Sequence, residues 1–180
     1  MTLAPLRLVS EAALLAAQRH SGMARKGRGN EPYVNHLAEV ANLVSEASGG
    51  ADAELVAAGW LHDIIEDTDT TREELADRFS VRVAALVVEV SDDMGLPKDE
   101  RRRLQVVGAP HKSPAAKLIK IADKVSNIRG RIAPAPSAEE RADLADYVGW
   151  AEQVVSRCRG GNAWLDDTFD KTVAKARSSL

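Results

Sequence analysis

Residues 81–90 read VRVAALVVEV, and the fold class turns on them. Valine and other β-branched residues at that density suit a strand. The segments on both sides are helical in pattern, so the stretch is read as a helix begun by Ser80. Just upstream, Thr71 and Glu74 have capping-box spacing at the head of a short helix that ends near Phe79. Just downstream, Pro97 stands at a natural first helical position for PKDERRRLQVV. Further out, Ser10 caps a helix over 11–21 closed by Gly22, and a second helix runs from Asn35 to Ala47 and stops at Gly49-Gly50. Asp52 opens a third, which carries GWLHDIIEDTDTT at 59–71. Ser113-Pro114 open AAKLIKIADKVSNIR with Gly130 as the stop; Ser137 and Glu140 form a second capping box ahead of EERADLADYVGWAEQVVSRC; a last helix follows Asn162 over 162–178. No hairpin signal and no internal repeat interrupts this pattern. The expectation is an all-α chain, a single helical bundle over residues 1–180.

Composition narrows the function. At 180 residues the chain fits one domain with a sizeable core. Lys+Arg 24 against Asp+Glu 27 gives a formal charge of -3, which argues against a dedicated nucleic-acid binder. One cysteine, Cys158, supports neither a disulfide framework nor a thiolate zinc site and fits a reducing compartment. No apolar run reaches the ~18 residues of a membrane span. The N-terminal stretch lacks a signal-peptide layout, so a cytoplasmic protein is expected.

Four ionisable side chains, His62, Asp63, Glu66 and Asp67, interrupt the third helix directly after ELVAAGWL. At 100° per residue they spread over roughly 140° of one face, with Glu66 one turn beyond His62 and Asp67 one turn beyond Asp63. Carboxylates in a last helical turn meet the negative end of the macrodipole. Three of them there require a cation, either a basic side chain from elsewhere or a metal ion. A polar helix end merging into a turn accounts for the same residues about as well.

Two other helices add to the case. His36 is followed by mostly apolar residues (LAEVANLV), which turns its imidazole inward. Asp123 and Asn127 sit one turn apart at the margin of a stripe made by Leu118, Ile121, Ala122, Val125 and Ile128, with Lys117, Lys120 and Lys124 beyond. Taken alone, His36 reads as a hydrogen-bonded core residue and Asp123 as half of a surface ion pair. Together, two imidazoles and two carboxylates suit a first-row divalent metal better than Mg²⁺ or Ca²⁺, which prefer oxygen shells. Four protein ligands on a six-coordinate ion leave room for water, which the metal acidifies.

His36, the adjacent pair His62-Asp63 and the distant Asp123 resemble the H…HD…D signature of the HD-domain metal-dependent phosphohydrolases. AAQRHSGMARKG, PYVNH, LHDIIEDTDTT, VSDDMGLPKDERRRLQ, AKLIKIADKVSNIR and YVGWAEQVV are similar, in order, to the hydrolase domain of RelA/SpoT-type alarmone enzymes. The resemblance spans about residues 14–158. It is nearest to the stand-alone small alarmone hydrolases, the metazoan SpoT homologue among them. It implies an HD-domain helical bundle and Mn²⁺-dependent removal of pyrophosphate from the 3′ position of guanosine tetra- and pentaphosphate. His36, His62, Asp63 and Asp123 become metal ligands, and Glu66 and Asp67 the acid/base pair that handles water and leaving oxygen, with the division between them open. Arg25 and Lys26 match the family's substrate-site pair, Asn127 its nucleoside contact, and Tyr147 and Lys98 its segments near nucleotide and phosphates. A solvated basic loop is the plain alternative for Arg25, Lys26 and Arg28.

The chain departs from the family at Leu37 and Trp60, which bear on packing, and at Gly130, where many bacterial relatives carry a side chain that helps hold the nucleoside. That leaves guanosine and adenosine alarmones both open. The competing readings are an HD phosphohydrolase for another nucleotide, such as the 2′-phosphate of NADPH, and a module that binds alarmone without turnover. Nucleic-acid binding through Arg25–Arg28 and Arg101–Arg103 has little support from a negatively charged chain. The oligomeric state is not readable from the sequence.

Overall fold

A computed structural model describes residues 4–25, 31–133 and 136–180. Among these the only β-type pairing is an isolated bridge between Ala24 and Pro32, and the chain is all-α as expected. In chain order the helices are α1 (Pro5–Arg19), α2 (Val34–Ala47), α3 (Ala53–Leu61), α4 (Ile64–Asp67), α5 (Arg72–Arg78), α6 (Val81–Val90), α7 (Lys98–Gly108), α8 (Pro114–Arg131), α9 (Ala138–Val155) and α10 (Ala163–Arg177). A 3₁₀ turn at Ala109–His111 joins α7 to α8.

The stretch 81–90 is a helix. Ser80 accepts the Val83 amide, and Val83, Ala84, Leu86, Val87 and Val90 are buried at helical spacing. Burial of that face outweighs the strand preference of its valines. Several other starts follow the capping residues: Asp52 accepts from Leu55, Thr71 from Glu74, Ser113 from Ala116 and Asn162 from Leu165. The Ser137–Glu140 capping box is complete in both directions. At Thr71 only the serine-like half forms, because Arg19 of α1 takes the Glu74 carboxylate at 3.0 Å.

Four boundaries differ from expectation. Helix α1 begins at Pro5 rather than residue 11, with proline supplying a pre-set φ at its first position, and Ser10 lies inside it. Pro97 caps α7 from outside instead of opening it. Helix α9 stops at Val155, short of Cys158. Gly130 does not stop α8, which continues through it to Arg131.

The most consequential difference lies within HDIIED. The third helix breaks at His62-Asp63 and restarts as the single turn α4. The His62 ring nitrogen Nδ1 lies 2.9 Å from the carbonyl oxygen of Gly59, the acceptor that the Asp63 amide would use in an unbroken helix. The four ionisable residues therefore do not share one regular helix face.

Helix α8 lies at the centre, packed against α2, α9 and α10, while α3 packs on α1, α2 and α6. One contiguous buried cluster runs from Leu8 in α1 to Ala176 in α10. Helices α2 and α3 touch closely at Gly59, where a Cβ would stand 2.8 Å from Val44 Cγ2. That contact brings the start of α2 and the end of α3 together against the middle of α8, at Asp123 and Ser126. No helix among the described residues is long and apolar enough to cross a membrane.

Candidate metal centre and its two cavities

Three elements meet there. The start of α2 supplies His36, the α3–α4 break supplies His62 and Asp63, and the middle of α8 supplies Asp123. The two imidazole Nε2 atoms face each other at 3.2 Å. Asp63 Oδ2 lies 3.0 Å from His62 Nε2 and 3.3 Å from His36 Nε2. Asp123 Oδ1 lies 3.5 Å from His36 and 3.8 Å from His62. Donor atoms of His36, His62 and Asp123 all fall within 4.8 Å of one another. Asp63 sits against both imidazoles and also accepts the Tyr33 hydroxyl at 2.6 Å.

The chemistry of this donor set fits a divalent ion. A carbonyl only accepts, so His62 carries hydrogen on Nδ1 toward Gly59 and turns Nε2 to the cluster. His36 likewise engages Ser126 Oγ through Nδ1 at 2.9 Å. Two imidazole nitrogens and two carboxylates gathered this closely repel unless positive charge lies among them. Burial would lower the His62 pKa, yet the Asp63 and Asp123 carboxylates reverse that and push it up to about 10. Burial would raise Asp63 and Asp123; the imidazoles beside Asp63, and Lys124 with the imidazoles beside Asp123, instead hold both well below the usual carboxylate range. The spacing also suits adjacent positions on one ion, since bonds of roughly 2.1 Å put neighbouring donors about 3 Å apart.

Two cavities adjoin the cluster. The larger, about 560 Å³, is lined by His62, Asp63, Glu66 and Asp123, by the cations Lys98, Arg101, Arg102, Lys120, Lys124 and Arg131, and by the acids Asp92, Glu139, Glu140 and Asp143. Tyr147 also lines it, under Arg131, whose guanidinium carbon is 3.8 Å from the ring centre. The second, about 500 Å³, is lined by Met23, Ala24, Arg25, Asp67 and Gly130. Tyr33, Asn127 and Arg131 form the wall common to both.

Glu66 and Asp67 thus open onto different cavities. Glu66 accepts the Asp92 amide at 2.7 Å. Burial, with Asp63 adding to it, pushes its pKa up to about 7. Asp67 is also raised by burial and by Asp63. It lies 3.7 Å from His20 Nε2, a buried ring nitrogen with no hydrogen-bond partner, on a ring stacked against Tyr33.

Among the substrate-side residues expected from sequence, Lys98 and Tyr147 line the larger cavity, Asn127 lines both and donates to Asp123, and Arg25 lines the second. Arg25 is buried, not part of a solvated loop, and donates to the Ser126 carbonyl at 2.9 Å. Lys26, with Arg28, lies outside the described residues. Nor is Asp123 half of a surface pair: it and Lys124 are buried together, 2.8 Å apart, with the ammonium 4.4 Å from the centre of Trp150.

Tyr33, His20, Glu39 and Ser126 join the site without having stood out in the sequence. Tyr33 stands three residues before His36 in PYVNH, and its reach to Asp63 depends on how α2 meets the α3–α4 break. Ser126 had no signal of its own beyond lying between Asp123 and Asn127.

A family model described as HD domain matches residues 12–148. The guanosine-3′,5′-bis(diphosphate) 3′-pyrophosphohydrolase MESH1 of Homo sapiens is 45% identical over 161 residues, 88% of this chain and 89% of that protein. Its Xenopus tropicalis counterpart is 43% identical over 165 residues, 91% of each. A solved structure described as a metazoan ortholog of SpoT that hydrolyzes ppGpp superposes with a TM-score of 0.86 at 36% identity, covering 99% of this chain and 100% of the other.

Proposed function

Because the chain belongs to the HD-domain family, we propose that it is a Mn²⁺-dependent 3′-pyrophosphohydrolase of ppGpp and pppGpp, working as one cytoplasmic domain over residues 1–180. The observation that carries this reading is the convergence of two imidazoles and two carboxylates beside a cavity that holds Lys98, Arg101, Arg102 and Lys120. Similarity to relatives named for that activity supports the substrate.

His36, His62, Asp63 and Asp123 hold the ion. When bound, it supplies Lewis acidity toward a water and a phosphate oxygen. Water adds to the phosphorus attached to the ribose 3′ oxygen, the bond between them breaks, and the oxygen leaves as a hydroxyl. One water is consumed, giving GDP or GTP and pyrophosphate.

The chain's side chains divide the remaining work. Lys98, Arg101, Arg102 and Lys120 receive phosphate charge as fixed cations. Lys124 is already committed to Asp123 and acts mainly by keeping that carboxylate ionised. Glu66, which shares the larger cavity with His62, Asp63 and Asp123, holds or accepts the proton of the attacking water; a carboxyl titrating near neutrality suits transfer in either direction. Asp67, on the second cavity, faces the ribose and the leaving oxygen, with His20 behind it. The nucleoside lies in the second cavity, against Arg25 and Tyr33, with Asn127 and Tyr147 at its junction with the first. Lys26 is proposed to join the substrate contacts from the adjoining loop.

Chromatography of a ppGpp digest tests this. The reading requires GDP and pyrophosphate in equal amounts. Loss of 5′ phosphates, or stepwise release of orthophosphate, would place the bond cleaved elsewhere.

A further inference from the structure

His36 has its second ring nitrogen tied into a chain that no part of the mechanism above uses. Nδ1 lies 2.9 Å from Ser126 Oγ, and Ser126 Oγ donates to Glu39 Oε2 at 2.6 Å. His36 is 1% exposed and Ser126 fully buried, so water does not compete for these bonds. The proton count is closed. A serine hydroxyl has one hydrogen, and an ionised carboxylate can only accept it. Glu39 is ionised: burial would raise its pKa, but hydrogen bonds from Ser126 and Arg129 hold it below the usual range. With its hydrogen committed to Glu39, Ser126 Oγ can only accept from His36. Nδ1 therefore carries the ring hydrogen, and Nε2 presents a lone pair.

The carboxylate end is fixed from two sides. Arg129 donates to Glu39 Oε1 at 2.9 Å, and Arg25 Nη1 lies 4.0 Å from Oε2. One Arg25 nitrogen also donates to the backbone carbonyl of Ser126 at 2.9 Å and to Ser126 Oγ at 3.4 Å, which leaves that oxygen, its hydrogen on Glu39, accepting from both His36 and Arg25. On the site side, His62 Nε2 is 3.2 Å from His36 Nε2. That arrangement needs a lone pair on His36 to face either a proton on His62 or a metal ion.

We propose that Ser126 and Glu39 are positioning residues, a relay that locks His36 in the Nδ1–H tautomer and holds its Nε2 lone pair on the cation site. The inference rests on reading His36 as a metal ligand, and it assigns part of the ion's affinity to a glutamate that touches neither ion nor substrate. Such outer partners orient the ring and raise its basicity; removing one typically lowers metal affinity or activity 10–100-fold.

The test uses the full chain, as wild type, Ser126→Ala and Glu39→Ala. The second variant changes a half-buried side chain and guards against misfolding at the buried serine. Imidazole ¹⁵N shifts on metal-stripped protein report the tautomer of His36, which a merely structural role would leave unchanged. Titration with Mn²⁺ against a fluorescent chelator reports affinity. The relay predicts Nδ1–H in the wild type, loss of that single tautomer in both variants, and Mn²⁺ binding weakened about 10–100-fold. Nε2–H in the wild type, or variants that keep both tautomer and affinity, would overturn it and leave the metal reading standing. A wild type with Nδ1–H that binds no Mn²⁺ would instead sink the metal reading and the affinity claim with it, leaving only the tautomer assignment.

Discussion

Replacing Gly130 by alanine probes the packing behind the second cavity. A Cβ there would stand 2.5 Å from Arg25 Nη2 and 2.7 Å from its guanidinium carbon. A surface arginine would swing aside at little cost. Arg25 is 8% exposed and bonded to the Ser126 carbonyl, with Glu31 and Glu39 at 3.9 and 4.0 Å. Displacing it forfeits a charge-assisted hydrogen bond, roughly 1.5–3 kcal/mol. Exchanging glycine for alanine inside a helix returns about 0.8–1 kcal/mol. The net expectation is a loss of about 0.5–2 kcal/mol, at about 2–4 °C in Tm per kcal/mol for a chain of this size. Gly149 is the control, a helical glycine in α9 with nothing within 4 Å of its would-be Cβ. Gly149→Ala should stabilise by up to ~1 kcal/mol. Urea denaturation of both variants, with Gly130→Ala repeated on Arg25→Ala, completes a double-mutant cycle. Without the guanidinium, Gly130→Ala should turn stabilising. If Gly130→Ala stabilises the otherwise unchanged protein as much as Gly149→Ala does, Arg25 is not held where the structure places it.

Asp63→Ala should lose metal and turnover together, whereas Glu66→Ala should keep stoichiometric metal and lose turnover; elemental analysis beside a rate assay separates them, and retained metal in Asp63→Ala would refute its role as a ligand. Tyr33→Phe removes the hydroxyl that donates to Asp63 Oδ2, and Mn²⁺ affinity should fall about tenfold; unchanged affinity would reduce Tyr33 to a cavity wall. Glu66 titrates near 7 in the folded chain, above its ordinary 4.5. The folded state therefore binds more protons between those values, so its contribution to stability is present below about 4.5 and lost as pH rises through about 7. Metal-stripped Glu66→Gln should lack that part of the pH slope in urea denaturation, and an identical slope would argue against the raised value.

Local signals carried most of the fold. Ser80, Ser113, Ser137 and Asn162 each cap the helix that the sequence assigned to them, because a cap is decided by the next three residues. The break at His62-Asp63 was not legible, since the competing bond from the His62 ring to Gly59 leaves no trace in the hydrophobic period. Gly130 looked like a stop signal. Its place inside α8 matches the space taken by Arg25, which lies 105 residues earlier in the chain. The motif brought His36, His62, Asp63 and Asp123 forward as a set, and the structure gathers them. It could not divide Glu66 from Asp67. They are adjacent in sequence, and only the relation of α4 to Tyr33 and Asn127 turns them toward separate cavities. Ser126 and Glu39 were likewise invisible, because a relay between α2 and α8 exists only once those helices pack.

The central claim meets its most direct test in pyrophosphate release from ppGpp by metal-stripped protein, with and without added Mn²⁺. The adenosine alarmone, NADPH and GTP serve as comparison substrates. The account predicts release from ppGpp that appears with Mn²⁺, disappears again with chelator, and exceeds release from the other three. Tight ppGpp binding without release, or faster phosphate release from NADPH, would contradict it.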